Sequence, residues 1–568
     1  MSSQRHEPIP AEAAERLRPA YLSVDELLDD LQHEVVRGGA RLFAGPTMEA
    51  RPIAPEHRKI ALAISGGGAA GAYSAGALET LLGQLSARGL RPDIILGTSA
   101  GALNGYGVFL EALGKDNPQL RQDPDIKQPF STFIASIWSY LDRHKNTSQW
   151  IVGRRSWMID LVSRGVSTPL RRWGLGLAVV FAIFLFNPFL FVSIIFFWEL
   201  QDWLPPLMRQ WGAAEGGPAL QLAILGGLSL AGLAVTLFIL KRMFFTSFFR
   251  DTPLLQLLAN TGPDGDLSKT WTWSHEQSLD RARVLSRELV AEWYKRQDEL
   301  PELIITATDI TVGRECLFTL VRPETYRHLV RNGWLAVQLD CDDPKARQCD
   351  VIPGALFTRG QNLLQCVIAS TAVPGAFPPQ ELGIYAAGSR SDVRHRFVDG
   401  GVLNNSPIHL AIDSSSSHVI SIELDPLIVT DPLSADDRNE TFNFMETGIT
   451  TFTTLLRRAI ERDIRRTVTW NRFLTENPSA SLERPKGKLV PGEATFNREL
   501  KRIIPLYRIA PAVREIGTVE FDGRYDKGRL TTTLRDVLRR GVLDLRGNHI
   551  WRATLQSVPL PEGQAPPK

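Results

Sequence analysis

Two glycine-framed turns carry the side chains and backbone groups that could do chemistry. Gly97-Thr98-Ser99-Ala100-Gly101 is a G-x-S-x-G pattern behind the apolar run Ile94-Ile95-Leu96. Glycines flanking a serine permit the sharp strand-to-helix turn that lifts its hydroxyl above a sheet, where it serves as a nucleophile. Upstream, Gly66-Gly67-Gly68-Ala69-Ala70-Gly71 follows the strand-like Lys59 to Ser65 and opens a small-residue helix that runs to about Ala87. Consecutive glycines at a helix start expose backbone N–H groups, the donors a tetrahedral oxyanion requires. The two turns place nucleophile and donors on adjacent strands.

The upstream turn is also a literal G-x-G-x-x-G (Gly66, Gly68, Gly71), the fingerprint of dinucleotide binding. That chemistry needs an acid at the end of the next strand to hold the ribose. Here the next strand ends in the serine turn, and Asp93 lies at its other end. The expectation is therefore no cofactor.

A serine nucleophile needs a base. The ten histidines are scattered, and none stands in a triad-like setting; His549 has the chain order of an α/β-hydrolase histidine but lies in an arginine-flanked C-terminal stretch. Asp399 is the stronger candidate: it follows the apolar Phe397-Val398 and precedes Gly400-Gly401, which puts a carboxylate at a strand end. The four cysteines lack metal-ligand spacing, so neither a metal site nor a disulfide scaffold is expected.

The elements that must position these residues read as an interrupted α/β domain. A β-α-β-α opening over residues 58–115 marks a parallel sheet. The pattern breaks over 116–297 and resumes with strands at Leu303 to Thr308, Cys316 to Leu320, Arg396 to Val398 and Val419 to Leu424, and a helix at Leu363 to Ser370, within 298–515. Residues 1–57 form an N-terminal extension with an amphipathic helix at Val24 to Val36. An arginine-rich polar helix is expected at Glu446 to Phe473, and 516–568 form a C-terminal region with a disordered tail.

Inside the break lie two stretches without a charged side chain, 175–198 and 219–240. Each is apolar all round and long enough to cross a bilayer as a helix. Trp173, Trp198, Trp203 and Trp211 flank them, as interfacial aromatics do, and Pro188 interrupts the first. Arginines and lysines crowd the outer flanks whereas the intervening loop offers only Arg209. By the positive-inside rule both long flanks are cytoplasmic, and a hairpin anchors a domain whose sequence continues on either side. The polar N-terminus has no secretory signal pattern, which suits a bacterial inner membrane. With 64 basic against 62 acidic residues, a nucleic-acid partner is not expected.

Serine turn, glycine loop and Asp-Gly-Gly, in this order, resemble the patatin-like phospholipases. Ala307-Thr308-Asp309 looks like a strand end of that family. Ala369-Ser370-Thr371-Ala372-Val373-Pro374-Gly375-Ala376-Phe377-Pro378-Pro379 is similar to its A-S-x-A-x-P-x-x-F-P-P stretch, and Asp399-Gly400-Gly401-Val402-Leu403-Asn404-Asn405 to its D-G-G-x-x-N-N. The resemblance implies a three-layer α/β sandwich with a mainly parallel central sheet, here interrupted by the transmembrane hairpin. It implies a Ser99-Asp399 dyad, an oxyanion hole from Gly66, Gly67 and Gly68, and structural roles for Gly71, Gly97, Gly101, Gly400 and Gly401. The implied activity is hydrolysis of carboxylic esters of membrane phospholipids through an acyl-enzyme, as a phospholipase A or lysophospholipase, without metal or cofactor. A weak or inactive membrane scaffold, a thioesterase and a neutral-lipid esterase are the alternatives. The chain departs from the family at Ala70, where arginine or lysine is usual, and at Ser65, where aspartate is frequent.

Overall fold

A computed structural model describes residues 21–22, 24–25, 27–28, 31, 59–121, 132–144, 251–265, 273–341, 354–374, 377–387, 389, 392–424, 506–511, 524–526, 529–546 and 550–552. These lie in one compact unit. The apolar segments 175–198 and 219–240, and the polar helix expected at 446–473, fall outside the described residues. Among the described residues no helix is long and apolar enough to cross a membrane.

The strands are β1 (Tyr21–Leu22), β2 (Ile60–Ile64), β3 (Ile94–Thr98), β4 (Glu302–Asp309), β5 (Arg314–Leu320), β6 (Leu335–Asp340), β7 (Leu356–Arg359), β8 (Gln380–Ala386), β9 (Val393–Asp399), β10 (His418–Ile422), β11 (Leu506–Ile509), β12 (Arg524–Asp526), β13 (Arg529–Thr532) and β14 (Ile550–Arg552). All but the β12–β13 hairpin join one sheet in the order β1-β14-β11-β10-β2-β3-β4-β5-β6-β7-β8-β9. From β11 through β10, β2 and β3 to β4 every pair is parallel. This is the parallel sheet expected from the alternating strand and helix signals. Beyond β4 the sheet is mixed, because β4 turns back into β5 through the four residues 310–313 and a turn that short can only join antiparallel strands. Antiparallel β9 then closes back onto β4.

Main helices are α1 (Gly71–Ala87), α2 (Ala100–Leu113), α3 (Phe133–His144), α4 (Thr252–Leu258), α5 (His275–Lys295), α6 (Pro323–Arg331), α7 (Leu363–Thr371), α8 (Ile408–Asp413) and α9 (Leu534–Arg546). Successive strand residues face opposite sides, and both sides are covered. Leu62, Ile64 and Ile95 enter the core formed with α1 and α2, while Ala61, Ala63, Ile94 and Leu96 enter a second core with Ile408 and Leu410 of α8 and Leu329 of α6. The result is three layers. Strands buried on both faces need apolar residues at every position, which is why β2 and β3 read as unbroken runs.

Helices α3 and α5 come from the stretch that the sequence assigns to the insertion, yet both pack on the α/β core. Trp138 of α3 and Trp293 of α5 are fully buried. The Trp138 indole donates to Asn104 Oδ1 at 2.7 Å, and Asn104 Nδ2 donates to the Gly71 carbonyl at 2.9 Å, so α3 braces the starts of α1 and α2 together. The C-terminal helix α9 crosses α1 in backbone contact: a Cβ at Gly76 would lie against the Leu538 carbonyl, and one at Gly541 against that of Tyr73.

Candidate active site

Strand β4 sets the geometry of the site with one of its edges. Its first residues pair with β3 as far as Thr306 opposite Thr98, and its last three pair with antiparallel β9, beginning with Ala307 opposite Asp399. The C-terminal ends of β3 and β9 thus meet head to head on neighbouring positions of β4. Ser99 is the next residue after β3, and Asp399 is the last of β9. Thr98 and Thr306 join their hydroxyls beneath the junction at 2.7 Å.

Ser99 has φ 55° and ψ −125°, a backbone conformation that costs a serine on the order of 1–3 kcal/mol. Three contacts impose it. The Ser99 N–H donates to Ser370 Oγ at 2.9 Å, and the Ser99 carbonyl accepts from the N–H groups of Ala102 and Leu103 at 2.9 and 3.3 Å. Glycines supply the room, since a Cβ at Gly101 would lie 2.1 Å from the Ile64 carbonyl oxygen. The turn aims the hydroxyl at the aspartate: Ser99 Oγ donates to Asp399 Oδ2 at 2.6 Å.

Asp399 is fixed on its other side. Its Oδ1 accepts from the Gly401 N–H at 2.7 Å, and its own N–H donates to the Ala372 carbonyl at 2.9 Å. Burial pushes its pKa up to about 7, against the pull of the hydrogen bonds from Ser99 and Gly401, which favour the carboxylate. A base poised near neutrality accepts a proton without being permanently protonated. Among the described residues, Ser99 Oγ has no histidine partner. His395 instead meets the buried Asp309, Nδ1 to Oδ2 at 2.6 Å, further out along β9.

The glycine loop runs beside this pair. Gly66 donates its N–H to the Asn405 carbonyl at 3.1 Å and accepts from Asn405 Nδ2 at 3.3 Å. Its N–H is therefore spent, which removes Gly66 from the three expected oxyanion donors. What demands glycine there is space: a Cβ would fall 2.4 Å from Asn405 Oδ1 and 2.8 Å from Ser99 Cβ. Gly67 and Gly68 have no hydrogen-bond partner for their N–H groups among the described residues. Gly68 sits at φ 57°, which favours glycine.

Ser65 and Ala70, the two departures from the family pattern, are both buried. Ser65 Oγ has no hydrogen-bond partner among the described residues. One strand over, Glu423 and Arg508 form a buried ion pair, with Nε on Oε1 at 2.8 Å. The backbone of that segment backs the loop: Ser65 N–H donates to Ile422 O at 2.9 Å, and the Leu424 side chain fills the space beside Gly67.

Two contributors were not expected from sequence. Ser370 and Asn405 stand inside stretches recognisable as motifs, but nothing in their residue type tells that one receives the Ser99 N–H and the other clamps Gly66. No group of His, Cys, Asp and Glu residues suited to a metal ion occurs among the described residues.

A family model described as patatin-like phospholipase matches residues 62–182 and 240–412, more than half of the chain. The chain is also similar to the crystal structure of VipD from Legionella pneumophila, with 15% sequence identity over 88% of this chain and 68% of that one and a TM-score of 0.24. No curated protein matches it.

Proposed function

The chain belongs to the patatin-like phospholipase family, and on that premise we propose that it is a serine lipid acyl hydrolase with Ser99 as nucleophile and Asp399 as base. The observation that carries the reading is the 2.6 Å hydrogen bond between a strained serine and a buried carboxylate whose pKa stands at about 7.

In the proposed reaction Ser99 Oγ attacks the ester carbonyl carbon while its proton passes to Asp399 Oδ2. The oxyanion is held by the N–H groups of Gly67 and Gly68. As the tetrahedral intermediate collapses, Asp399 returns the proton to the departing alcohol, leaving the acyl group on Ser99. Water then adds to the acyl-enzyme, gives a proton to Asp399, and releases the carboxylic acid as Ser99 recovers its hydrogen. The carboxylate works as a base only because water is kept from it, and Asp399 is 4% exposed.

The substrate read from the family is a carboxylic ester of a membrane phospholipid or lysophospholipid. The apolar stretches 175–198 and 219–240 support a membrane hairpin with the catalytic residues on the cytoplasmic side, on hydropathy and charge alone. Release of fatty acid from phospholipid vesicles by the full chain, absent in Ser99→Ala, tests the activity. Resistance to alkaline extraction from membranes tests the anchor.

A further inference from the structure

We propose that the β4–β5 turn and the adjoining stretch of β9 form a docking surface for an anionic lipid bilayer. The proposal rests on the reading of the substrate as a membrane lipid. Three observations carry it.

The first is position. Asp399 pairs with Ala307, and β4 continues past that level through Thr308 and Asp309 into the turn. At the rise of a strand, Ile310 stands roughly 10 Å beyond the level of the dyad along β4. The turn is held to β9: Ile310 N–H donates to the Arg396 carbonyl and Arg396 N–H to Thr311 Oγ1, each at 2.9 Å.

The second is exposed apolar surface in that place. Ile310 is 48% exposed and Val312 49%, and Leu403, just past the Asp-Gly-Gly turn, is 44% exposed. Apolar side chains left in water at such a turn gain by entering the headgroup and acyl boundary.

The third is charge. Arg394 and Arg396 have side chains 80% and 66% exposed, and Arg314 at the start of β5 is exposed with no carboxylate partner among the described residues. Glu381 faces both β9 arginines, at 3.8 and 2.8 Å, and offsets only part of their charge. Arginine forks suit lipid phosphates, and an anionic leaflet attracts such clusters. Apolar residues in the turn with arginines beside them on β9 fit a bilayer surface rather than an acidic protein, which offers no acyl layer for Ile310 and Val312.

The test places an environment-sensitive fluorophore at Val312→Cys in the full chain, reconstituted with phosphatidylcholine vesicles with or without phosphatidylglycerol. Asp298→Cys, exposed in the turn that leads into the opposite end of β4, is the control site. The expected result is a blue shift and a severalfold rise in emission at position 312 when phosphatidylglycerol is present, none at 298, and loss of the rise in R394E/R396E. Emission at 312 that ignores lipid composition, or equals that at 298, overturns the proposal. The same read-out on Ser99→Ala does not depend on catalysis. A response without any lipid hydrolysis by wild type would keep the docking surface and sink the hydrolase reading, and hydrolysis without a response would do the opposite.

Discussion

Ser99 and Asp399 lie 300 positions apart in sequence and come within 2.6 Å because β3 and β9 end tip to tip on one edge of β4. The contact is a product of topology: β3 runs parallel to β4, β9 antiparallel, and both stop at neighbouring positions of β4. A dyad built on strand ends is held more rigidly than one built on loops, which a pair with a single productive hydrogen bond requires.

Removing the charge at Asp399 separates activity from stability. In Asp399→Asn turnover falls to background, because an amide does not accept the serine proton. Stability moves the other way. The folded-state pKa of Asp399, about 7, is raised above the usual 3.8, so the folded protein binds this proton more tightly than the unfolded chain does. Its ionisation therefore costs stability progressively as pH rises from about 4 to 7, by up to about 4 kcal/mol. Asp399→Asn is expected to melt higher than wild type at pH 8, with the gap closing toward pH 4. Thermal unfolding across that range checks the sign.

The same titration shapes the rate. The carboxylate is the active form, so kcat/KM on a soluble ester is expected to rise with pH through an apparent pKa of about 7 and level off above it. A rate independent of pH between 5 and 9, measured on a substrate without ionisable groups, would remove Asp399 from the base role.

Ser370→Ala tests the strained turn. It takes away the acceptor of the buried Ser99 N–H. Leaving that donor unpaired costs about 1–3 kcal/mol of stability. With φ 55° at Ser99 no longer enforced from this side, kcat is expected to fall more than KM rises, whereas Ser370→Thr, which keeps a hydroxyl, preserves most of the activity.

Gly66→Ala puts a methyl group against Asn405 Oδ1 and Ser99 Cβ. The loop must shift away from the nucleophile, so acylation by a small ester is expected to fall at least tenfold, equivalent to about 1.4 kcal/mol of barrier, while circular dichroism remains that of wild type.

Arg508→Ala strands the buried Glu423 carboxylate without its guanidinium. Breaking such a pair costs about 3–5 kcal/mol. Chemical denaturation is expected to show that loss, and the double change Arg508→Met with Glu423→Gln to recover much of it.

Much of this arrangement is legible in sequence, and what is not has a physical reason. Gly97 to Gly101 and Gly66 to Gly71 announce their turns because glycine spacing there is dictated by local crowding. Apolar runs at β2 and β3 announce strands buried on two faces. The pairing of Asp399 with Ala307 is different, since it depends on a sheet that closes beyond β4 through β6, β7 and β8, none of them marked by a strong local pattern. Gly66 shows the limit of motif reading in another way: its place in a glycine triplet suggests an oxyanion donor, and only the Asn405 carbonyl reveals that its N–H is spent. Helices α3 and α5 sit beside long apolar or polar stretches in sequence, and their amphipathic faces do not say which core they cover.

The dyad makes Ser99 an activated nucleophile that depends on Asp399. Labelling of the purified protein with a fluorophosphonate probe, across wild type, Ser99→Ala and Asp399→Asn, reads that dependence. The dyad predicts stoichiometric labelling of wild type, none of Ser99→Ala, and a rate in Asp399→Asn reduced at least a hundredfold, equivalent to about 2.7 kcal/mol. Labelling of Asp399→Asn at the wild-type rate, or of Ser99→Ala at all, would contradict it.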